Sequence, residues 1–268
     1  MRRGFSLLFT GLTCLVFAGK VNGAVVNVPS EAATISEAMI VAQAGDTVMV
    51  EAGTYRENVM LAPGVTLLAR SQFQATINGR GKGTVVTMAR DNKISGFVIR
   101  NGTIGIFSNG AGNEITGNRI VDNWQTGLMV IRHLPKVEDN VIAFNRSSGI
   151  QGWDVRSTQA SVNHNSIAYN GNHGIALGGA SEVIIENNVV AFNERFGLKI
   201  IQDEDNVQII SNNFYRNLYS PRPMPDGNFS FDPAFTSPRS KMNFKSNPTL
   251  CCQTQSSDNE NLGARLNH

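Results

Sequence analysis

The sequence lacks a long apolar run beyond its first 23 residues, so we expect no membrane-spanning segment in the rest of the chain. The start itself carries Arg2 and Arg3, followed by an apolar stretch from Phe5 to Ala18 and then by small residues. This order is typical of a secretory signal peptide, which we predict over residues 1–23. The protein is therefore expected to be secreted or periplasmic.

A surplus of positive charge is also missing once the leader is set aside. Without Arg2, Arg3 and Lys20, 20 basic side chains stand against 21 acidic ones. General nucleic-acid binding depends on a basic surface that neutralises phosphates. We therefore expect no nucleic-acid partner.

Cysteine is scarce, with 3 residues in the whole chain. Cys14 lies in the leader, which leaves the adjacent pair Cys251 and Cys252. Neighbouring Cα atoms are about 3.8 Å apart, closer than the roughly 4.4–6.8 Å usual for a disulfide, so a bridge between them would be strained. A vicinal bridge, two free thiols and an intermolecular link all remain open.

Several motifs that carry chemistry are absent as well. The sequence has no zinc-ligand cluster, phosphate-binding loop, nucleophile elbow or Gly-Gly-x-Gly-x-Asp calcium repeat. Asp203-Glu204-Asp205 could bind Ca²⁺ through carboxylate oxygens, but a solvated acidic turn explains the same run. We predict no metal site and no cofactor.

What the sequence does contain is an internal repeat, Asn-x-(Ile/Val)-x-x-Asn-x-x-x-Gly-(Ile/Leu). It occurs four times in succession, at spacings of 22, 25 and 23 residues. Its first Asn is Asn118, Asn140, Asn165 and Asn188, its second is Asn123, Asn145, Asn170 and Asn193, and its Gly is Gly127, Gly149, Gly174 and Gly197. A coil of this length holds three short strands, and coils stacked about 4.8 Å apart pair each strand in parallel with its successor.

The repeat also sorts its positions. We predict that the asparagines of one turn hydrogen-bond along the stack and that Phe144, Tyr169 and Phe192 form a buried aromatic stack. Two inward aliphatic columns are expected, one of Val98, Ile120, Ile142, Ile167 and Val189 and the other of Ile106, Leu128, Ile150, Ile175 and Leu198.

The two ends of the chain depart from the repeat. Thr34-Ile35-Ser36-Glu37 is a capping box, and an apolar stripe of Ile35, Ala38, Met39 and Ala42 follows it, so we predict a helix that covers the N-terminal end of the stack. From Ser220 onward the period disappears. Residues 24–218 are therefore predicted to form the solenoid, and residues 219–268 an irregular C-terminal cap.

The opening of this region resembles a known superfamily. Thr34–Ala38, Ala44–Thr47 and Gly53–Val59 are similar to the opening of the pectin-lyase-like right-handed parallel β-helix proteins, and Asn261–Ala264 to the ending of many exported members. The resemblance implies an all-β, right-handed parallel β-helix of about eight coils with a polysaccharide or surface glycan as partner. It does not specify a reaction, because the superfamily includes lyases, hydrolases, esterases, epimerases and proteins with no known catalysis.

In similar proteins the glycan lies along the strand that follows the repeat Gly and along the turn before it. The substrate-binding residues predicted on this basis are Trp124, Arg146, Trp153, Arg132 and Lys199. Aromatic faces can cover the apolar face of a pyranose, and arginine can hold a uronate carboxylate. Because elimination or epimerisation needs a group that neutralises the carboxylate and a base near the C5 proton, Asp154, Arg156 and His173 are the candidate catalytic residues, although each also fits a solvated turn.

Specific reactions find little support in the motifs. Gln151-Gly152-Trp153-Asp154 occupies the place of the Asp-Pro-His-Asp motif of alginate C5-epimerases, and only the last Asp matches. Asp154 has no acidic neighbour in register for hydrolysis, and the paired Asp motifs of pectin methylesterases are absent. Epimerase, hydrolase and esterase activities are therefore disfavoured.

The sequence predicts an exported β-helix that binds or processes a polysaccharide, with an anionic uronate glycan as the candidate ligand. The main alternative is a non-catalytic structural or assembly scaffold that binds another protein. A metal-delivery accessory is a third reading, against which the scarcity of His and Met in register argues.

Overall fold

A computed structural model describes residues 23–155, 161–180, 182–202, 206–239, 244, 256–258 and 261–265. These residues contain one helix, α1 (Ile35–Val41), and short strands throughout. In chain order the strands are β1 (Val25–Val28), β2 (Thr47–Val50), β3 (Gly53–Tyr55), β4 (Val59–Met60), β5 (Thr66–Ala69), β6 (Ala75–Asn78), β7 (Thr84–Met88), β8 (Lys93–Ser95), β9 (Val98–Arg100), β10 (Ile104–Ser108), β11 (Glu114–Thr116), β12 (Arg119–Val121), β13 (Leu128–Ile131), β14 (Lys136–Glu138), β15 (Val141–Ala143), β16 (Ile150–Trp153), β17 (Ser161–Asn163), β18 (Ser166–Ala168), β19 (Ile175–Gly178), β20 (Ile184–Glu186), β21 (Val189–Ala191), β22 (Leu198–Ile201), β23 (Gln208–Ile210) and β24 (Asn213–Tyr215).

The strands form three parallel sheets that run the length of the molecule. Sheet A contains β1, β2, β5, β8, β11, β14, β17, β20 and β23; sheet B contains β3, β6, β9, β12, β15, β18, β21 and β24; sheet C contains β4, β7, β10, β13, β16, β19 and β22. Each coil adds one strand to each sheet, which confirms the predicted parallel solenoid of about eight coils.

The core fills the space between the three sheets. The predicted column of Ile106, Leu128, Ile150, Ile175 and Leu198 is confirmed on sheet C. The other predicted column was wrong at both ends: Ile120 pairs with Ile99, and Ile167 pairs with Val190. Val98 and Val189 instead point outward from sheet B, because adjacent strand residues face opposite sides of a sheet.

Two ladders of buried asparagines confirm the predicted hydrogen bonding along the stack. In each ladder the Nδ2 of one asparagine donates to the Oδ1 of its equivalent in the next coil, over 2.9–3.2 Å. The repeat glycine makes room for this arrangement, since a Cβ at Gly127 would lie 2.7 Å from Nδ2 of Asn145. The repeat therefore determines how the side chains of successive coils pack, in addition to the length of each coil.

Helix α1 begins where the sequence predicts. The side chain of Thr34 accepts the N–H of Glu37, and the Glu37 carboxylate accepts the N–H of Thr34. The carboxylate of Glu57 accepts the N–H groups of Ile35 and Ser36 at 3.0 and 2.9 Å, so all these free donors of the first turn have partners. The helix ends at Val41, and its apolar stripe packs into the core.

The C-terminal part of the chain first closes the last coil and then returns along sheet B. Asn228 accepts from Nδ2 of Asn212 at 3.0 Å and ends the first ladder. Farther along, Phe235, Phe244 and Leu262 pack on the outward apolar residues of sheet B. We call this returning part, Phe235–Arg239 with Phe244, Ser256–Asp258 and Asn261–Arg265, the strap.

The predicted aromatic stack is present, but it lies outside the coil. The ring centroids of Phe144 and Tyr169 are 5.4 Å apart and those of Tyr169 and Phe192 are 4.8 Å apart, with nearly parallel planes. All three residues are half-buried, because Phe235 and Phe244 of the strap pack against them. The strap therefore supplies the cover that the coil itself does not.

Candidate functional site

The outward residues of sheet C form a surface that the described part of the chain leaves largely uncovered. One row along this surface consists of Met60, Thr87, Phe107, Met129, Gln151, Ala176 and Lys199, each paired with the next in strand register. Most of these side chains are exposed or half-buried, although Ala176 is buried. We call this surface, together with Ile131 and Trp153 at the ends of their strands, the sheet C face.

Trp153 is the most prominent aromatic residue of the sheet C face. It is the last residue of β16, and 50% of it is exposed. A Cβ at Gly178, in the next coil, would lie 3.4 Å from Cε3 of Trp153. The indole therefore lies against the neighbouring strand, within van der Waals distance of a side chain at that position.

Trp124 and Arg146 come together at the turn between sheets B and C. They occupy equivalent positions in successive coils, and Cζ of Arg146 lies 3.8 Å from the centroid of the Trp124 ring. The stacked pair borders a groove of about 400 Å³, which we call the corner groove. It is lined by Trp124, Phe144, Arg146, Tyr169, Glu194 and Arg239, among others. Aromatic and charged side chains thus line the same groove.

The structure separates the two halves of the predicted sugar-binding strip. Trp124 and Arg146 precede the strands of sheet C, whereas Trp153 and Asp154 lie at the far ends of these strands. A strand of four residues at about 3.3 Å each puts roughly 10 Å between the two borders. The predicted residues therefore flank the sheet C face instead of forming one patch.

Arg132 and Asp154 lie beside each other on the far border. They follow Ile131 and Trp153, which pair in register, and the N–H of Arg132 donates to the carbonyl of Trp153 at 3.0 Å. Both residues are exposed. Their φ angles of 65° and 50° lie in the left-handed region, as is common in turns. A cation and a carboxylate are thus presented one coil apart.

His173 lies on the near border, across the sheet from Asp154, and is buried at 7% exposure. Its Nδ1 accepts the N–H of Phe196 at 3.3 Å. Burial, with the positive charges of Lys199 and Arg195, lowers the pKa of His173. A neutral imidazole at this position fits the acceptor role of Nδ1, and the structure does not bring it near Asp154.

A family model described as the right handed beta helix region matches residues 105–220. The chain has the right-handed parallel β-helix fold that its resemblance to pectin-lyase-like proteins predicts. Solved structures agree with this fold. The alginate lyase of Paenibacillus sp. str. FPU-7 is similar at a TM-score of 0.54 and 16% identity, over 69% of this chain and 74% of that one. The A-module of the mannuronan C-5 epimerase AlgE4 of Azotobacter vinelandii has values of 0.53 and 16%, over 74% and 70%.

The pectate lyase Pel9A extends this likeness over more of the β-helix, with a TM-score of 0.53 and 12% identity over 87% of this chain and 83% of that one. Identities this low establish the fold alone. No curated protein sequence matches the chain significantly.

Several predictions for this β-helix fall outside the described residues. These are the signal peptide up to residue 22, Arg156, the acidic run Asp203–Asp205, and the pair Cys251 and Cys252. Within the described ranges, three or more His, Cys, Asp or Glu side chains nowhere come together as metal ligands would, and no helix has the length and hydropathy needed to cross a bilayer.

The β-helix also contains a group of residues that the repeat did not single out. Phe196 and Tyr219 form an isolated parallel bridge, with ring centroids 4.8 Å apart, and Arg222 lies beyond them. Tyr219 follows Phe196 by 23 residues, as Phe196 follows His173. That spacing was the available signal, and the loss of the repeat Gly after Tyr219 hid it.

Proposed function

We propose that this β-helix binds or processes a polysaccharide that lies along the sheet C face, and that an anionic uronate glycan is its ligand. The observation that carries the proposal is the partly exposed, mostly uncharged sheet C face, on which Trp153 is 50% exposed. It is bordered by the Trp124–Arg146 pair and by Arg132. An indole can pack on a pyranose ring, and guanidinium groups can bind its carboxylate.

The similar solved structures support the same class of ligand. Their names give alginate, mannuronan and pectate as the polymers on which they act, and all three polymers consist largely of uronic acids. Asp154, Arg156 and His173 remain the predicted catalytic residues. Since Asp154 and His173 lie on opposite borders of sheet C, we expect binding to be easier to demonstrate than turnover.

Binding of purified mature protein to alginate, polygalacturonate and a neutral glucan tests the proposal, together with ultraviolet absorbance for unsaturated uronate products. We expect affinity for at least one acidic polymer, reduced about tenfold by Trp153→Ala, because a buried aromatic anchor typically contributes this much or more. Phe231→Ala is the matched control, since Phe231 is 47% exposed outside sheet C; it should leave affinity unchanged.

The alternative function is a scaffold that binds another protein through the same exposed face. Its prediction differs sharply: no acidic or neutral glycan would bind, and Trp153→Ala would change no glycan measurement. That result would end the polysaccharide proposal.

We also propose export, on the predicted signal peptide over residues 1–23. Cell fractionation and N-terminal sequencing check it, with an expected mature start at Ala24. A cytoplasmic protein that retains Met1–Gly23 would contradict export without touching the proposal for the sheet C face.

A further inference from the structure

Sheet C stops one coil before the other two sheets. Among the described residues its last strand is β22, whereas sheets A and B continue to β23 and β24. The next coil begins to pair, since the N–H of Gly197 donates to the carbonyl of Tyr219 at 2.9 Å, but the chain then leaves through Ser220 and Pro221. Proline lacks the N–H that a further strand would need.

The early departure leaves a groove of about 710 Å³ at this end of the sheet C face. We call it the end groove. Its lining includes Phe196, Leu198, Lys199, Leu218, Tyr219 and Arg222. Leu218 is 64% exposed and Tyr219 is 50% exposed, so the groove opens to solvent.

The charges at the end groove are of one sign. Lys199 and Arg222 line it, and Arg195 is close enough to His173 to lower its pKa together with Lys199. Among the described residues none of these three cations forms a salt bridge, and no carboxylate lines the groove. The remaining residues of the row that ends at Lys199 carry no charge.

Aromatic rings stand beside these cations. Tyr219 packs on Phe196, and Nζ of Lys199 lies 5.4 Å from the centroid of the Phe196 ring. The ring of His173 lies 5.5 Å behind Phe196 and stays buried. The groove thus offers an exposed aromatic surface next to positive charge that forms no salt bridge with any residue in the described part of the chain.

We infer that the end groove is a subsite for a carboxylate-bearing sugar, in which Lys199 and Arg222 bind the carboxylate and Tyr219 packs against the sugar ring. The inference rests on the proposed function and adds where along the face a negative charge is recognised. A glycan on the sheet C face would present its uncharged surface to Met129 and Trp153 and place an acidic unit at the C-terminal end.

Short oligosaccharides test the subsite separately from the face. Calorimetric titration of the full mature chain would use trigalacturonate and trimannuronate, with maltotriose as the neutral probe and a sulfated trisaccharide as a second anion. We expect an acidic trisaccharide to bind and the neutral one not to. The double variant Lys199→Gln/Arg222→Gln should weaken binding of the acidic trisaccharide about tenfold or more. The loss of one charge-assisted hydrogen bond by itself corresponds to a loss of affinity of that size.

Three controls keep the result specific. Arg80→Gln/Lys82→Gln removes the same charge from two exposed residues several coils away and should leave affinity within about twofold, as expected of screened surface charges. Lys199→Arg should retain binding, and unchanged thermal midpoints would show that each variant is folded. Phe231→Ala should also leave trisaccharide affinity within about twofold, because Phe231 is exposed outside sheet C.

The outcomes separate the two proposals. Polymer binding that depends on Trp153, with trisaccharide affinity absent or insensitive to the double variant, would overturn the subsite and leave the proposed function standing. Equal loss in both double variants would also overturn it, since net charge alone would then explain binding, as would preference for the sulfated probe. Absence of binding to every glycan, long or short, would overturn both.

Discussion

Sheet B and sheet C both carry apolar residues on their outer faces, but the protein treats the two faces differently. On sheet B, Val98, Val121 and Val141 are 8%, 0% and 0% exposed and belong to a cluster that includes Phe244 of the strap. On sheet C, Met60 and Trp153 are 72% and 50% exposed. The same kind of surface is thus covered by the chain's own residues in one place and left open in the other.

The difference teaches that apolar residues on the outside of a coil have two roles. Where Phe235 and Phe244 cover them, they belong to the core and contribute to stability. Where nothing described covers them, they are available to a ligand. Sheet A differs from both, because its outer face carries ion pairs such as that of Lys93 with Glu114 at 2.9 Å.

The sharpest test places a carboxylate on each face. Ala168→Asp buries a charge in the apolar cluster that contains Phe244 and should lower the free energy of unfolding by about 4 kcal/mol, because its neighbours in strand register, Ala143 and Ala191, are apolar. Met129→Asp, on the sheet C face, should cost no more than about 1 kcal/mol, the scale of strand propensity. Urea denaturation measures both. Equal losses would mean that the sheet C face is covered in solution.

Removing the cover itself should have the next largest effect. Phe244→Ala should destabilise the protein by about 3 kcal/mol, as other buried phenylalanines do, because Phe244 is 2% exposed and contacts Phe144 and Phe235. Phe231→Ala, at 47% exposure, is the control and should cost less than about 1 kcal/mol. A loss no greater than that of the control would show that the strap is not part of the core.

A smaller effect is expected at the polar end of the strap. Nε of Arg265 lies 2.8 Å from Asp139, and one of its terminal nitrogens lies 3.0 Å from Glu138. Arg265→Met should cost about 1 kcal/mol, since the paired, partly exposed guanidinium is a modest stabiliser. The control Arg90→Met breaks a contact with Asp91 at 3.8 Å between exposed groups and should change nothing. A difference that survives 1 M salt would contradict a mainly electrostatic link.

The smallest expected effect is a pH dependence beside the open face. The folded protein lowers the pKa of His173. The stability that the neutral His173 contributes is therefore fully present above the pKa of the unfolded state, about 6.5, and is lost as the pH falls toward the pKa of the folded state. Thermal midpoints between pH 7.5 and 5 should therefore fall less steeply in His173→Gln than in the wild type. A steeper fall in the variant would contradict the direction of the shift.

The sequence was sufficient for the solenoid because each coil repeats the same packing problem. Asn and Gly recur where side-chain amides fill the turn, and their spacing predicted the register of sheet C. It failed at Val98-Ile99 and Val189-Val190, where both residues are apolar and alternation gives no direction. Sheet B is buried on both sides there, and such strands read as continuous apolar runs.

The candidate site was harder to predict for a different reason. Register along the stack follows from the repeat, and so Arg132 beside Asp154 was accessible in principle. The repeat period does not give the distance between the two borders of sheet C. The separation of Trp124 from Trp153 therefore could not be predicted from the sequence. Tyr219 and Arg222 lie where the repeat decays, so no pattern assigned them to the end of the sheet C face.

The asparagine ladders also make length an adjustable property of this molecule. Each interior asparagine of a ladder donates to its equivalent in the following coil and accepts from its equivalent in the preceding one, so the contacts between successive coils are alike. Duplication of one unit of 22 to 25 residues would add a rung to each ladder and lengthen the open surface by about 4.8 Å, and the strap would have to shift by one coil to keep contacts such as that of Arg265 with Asp139. Such a protein can match longer or shorter ligands by changing the number of its coils.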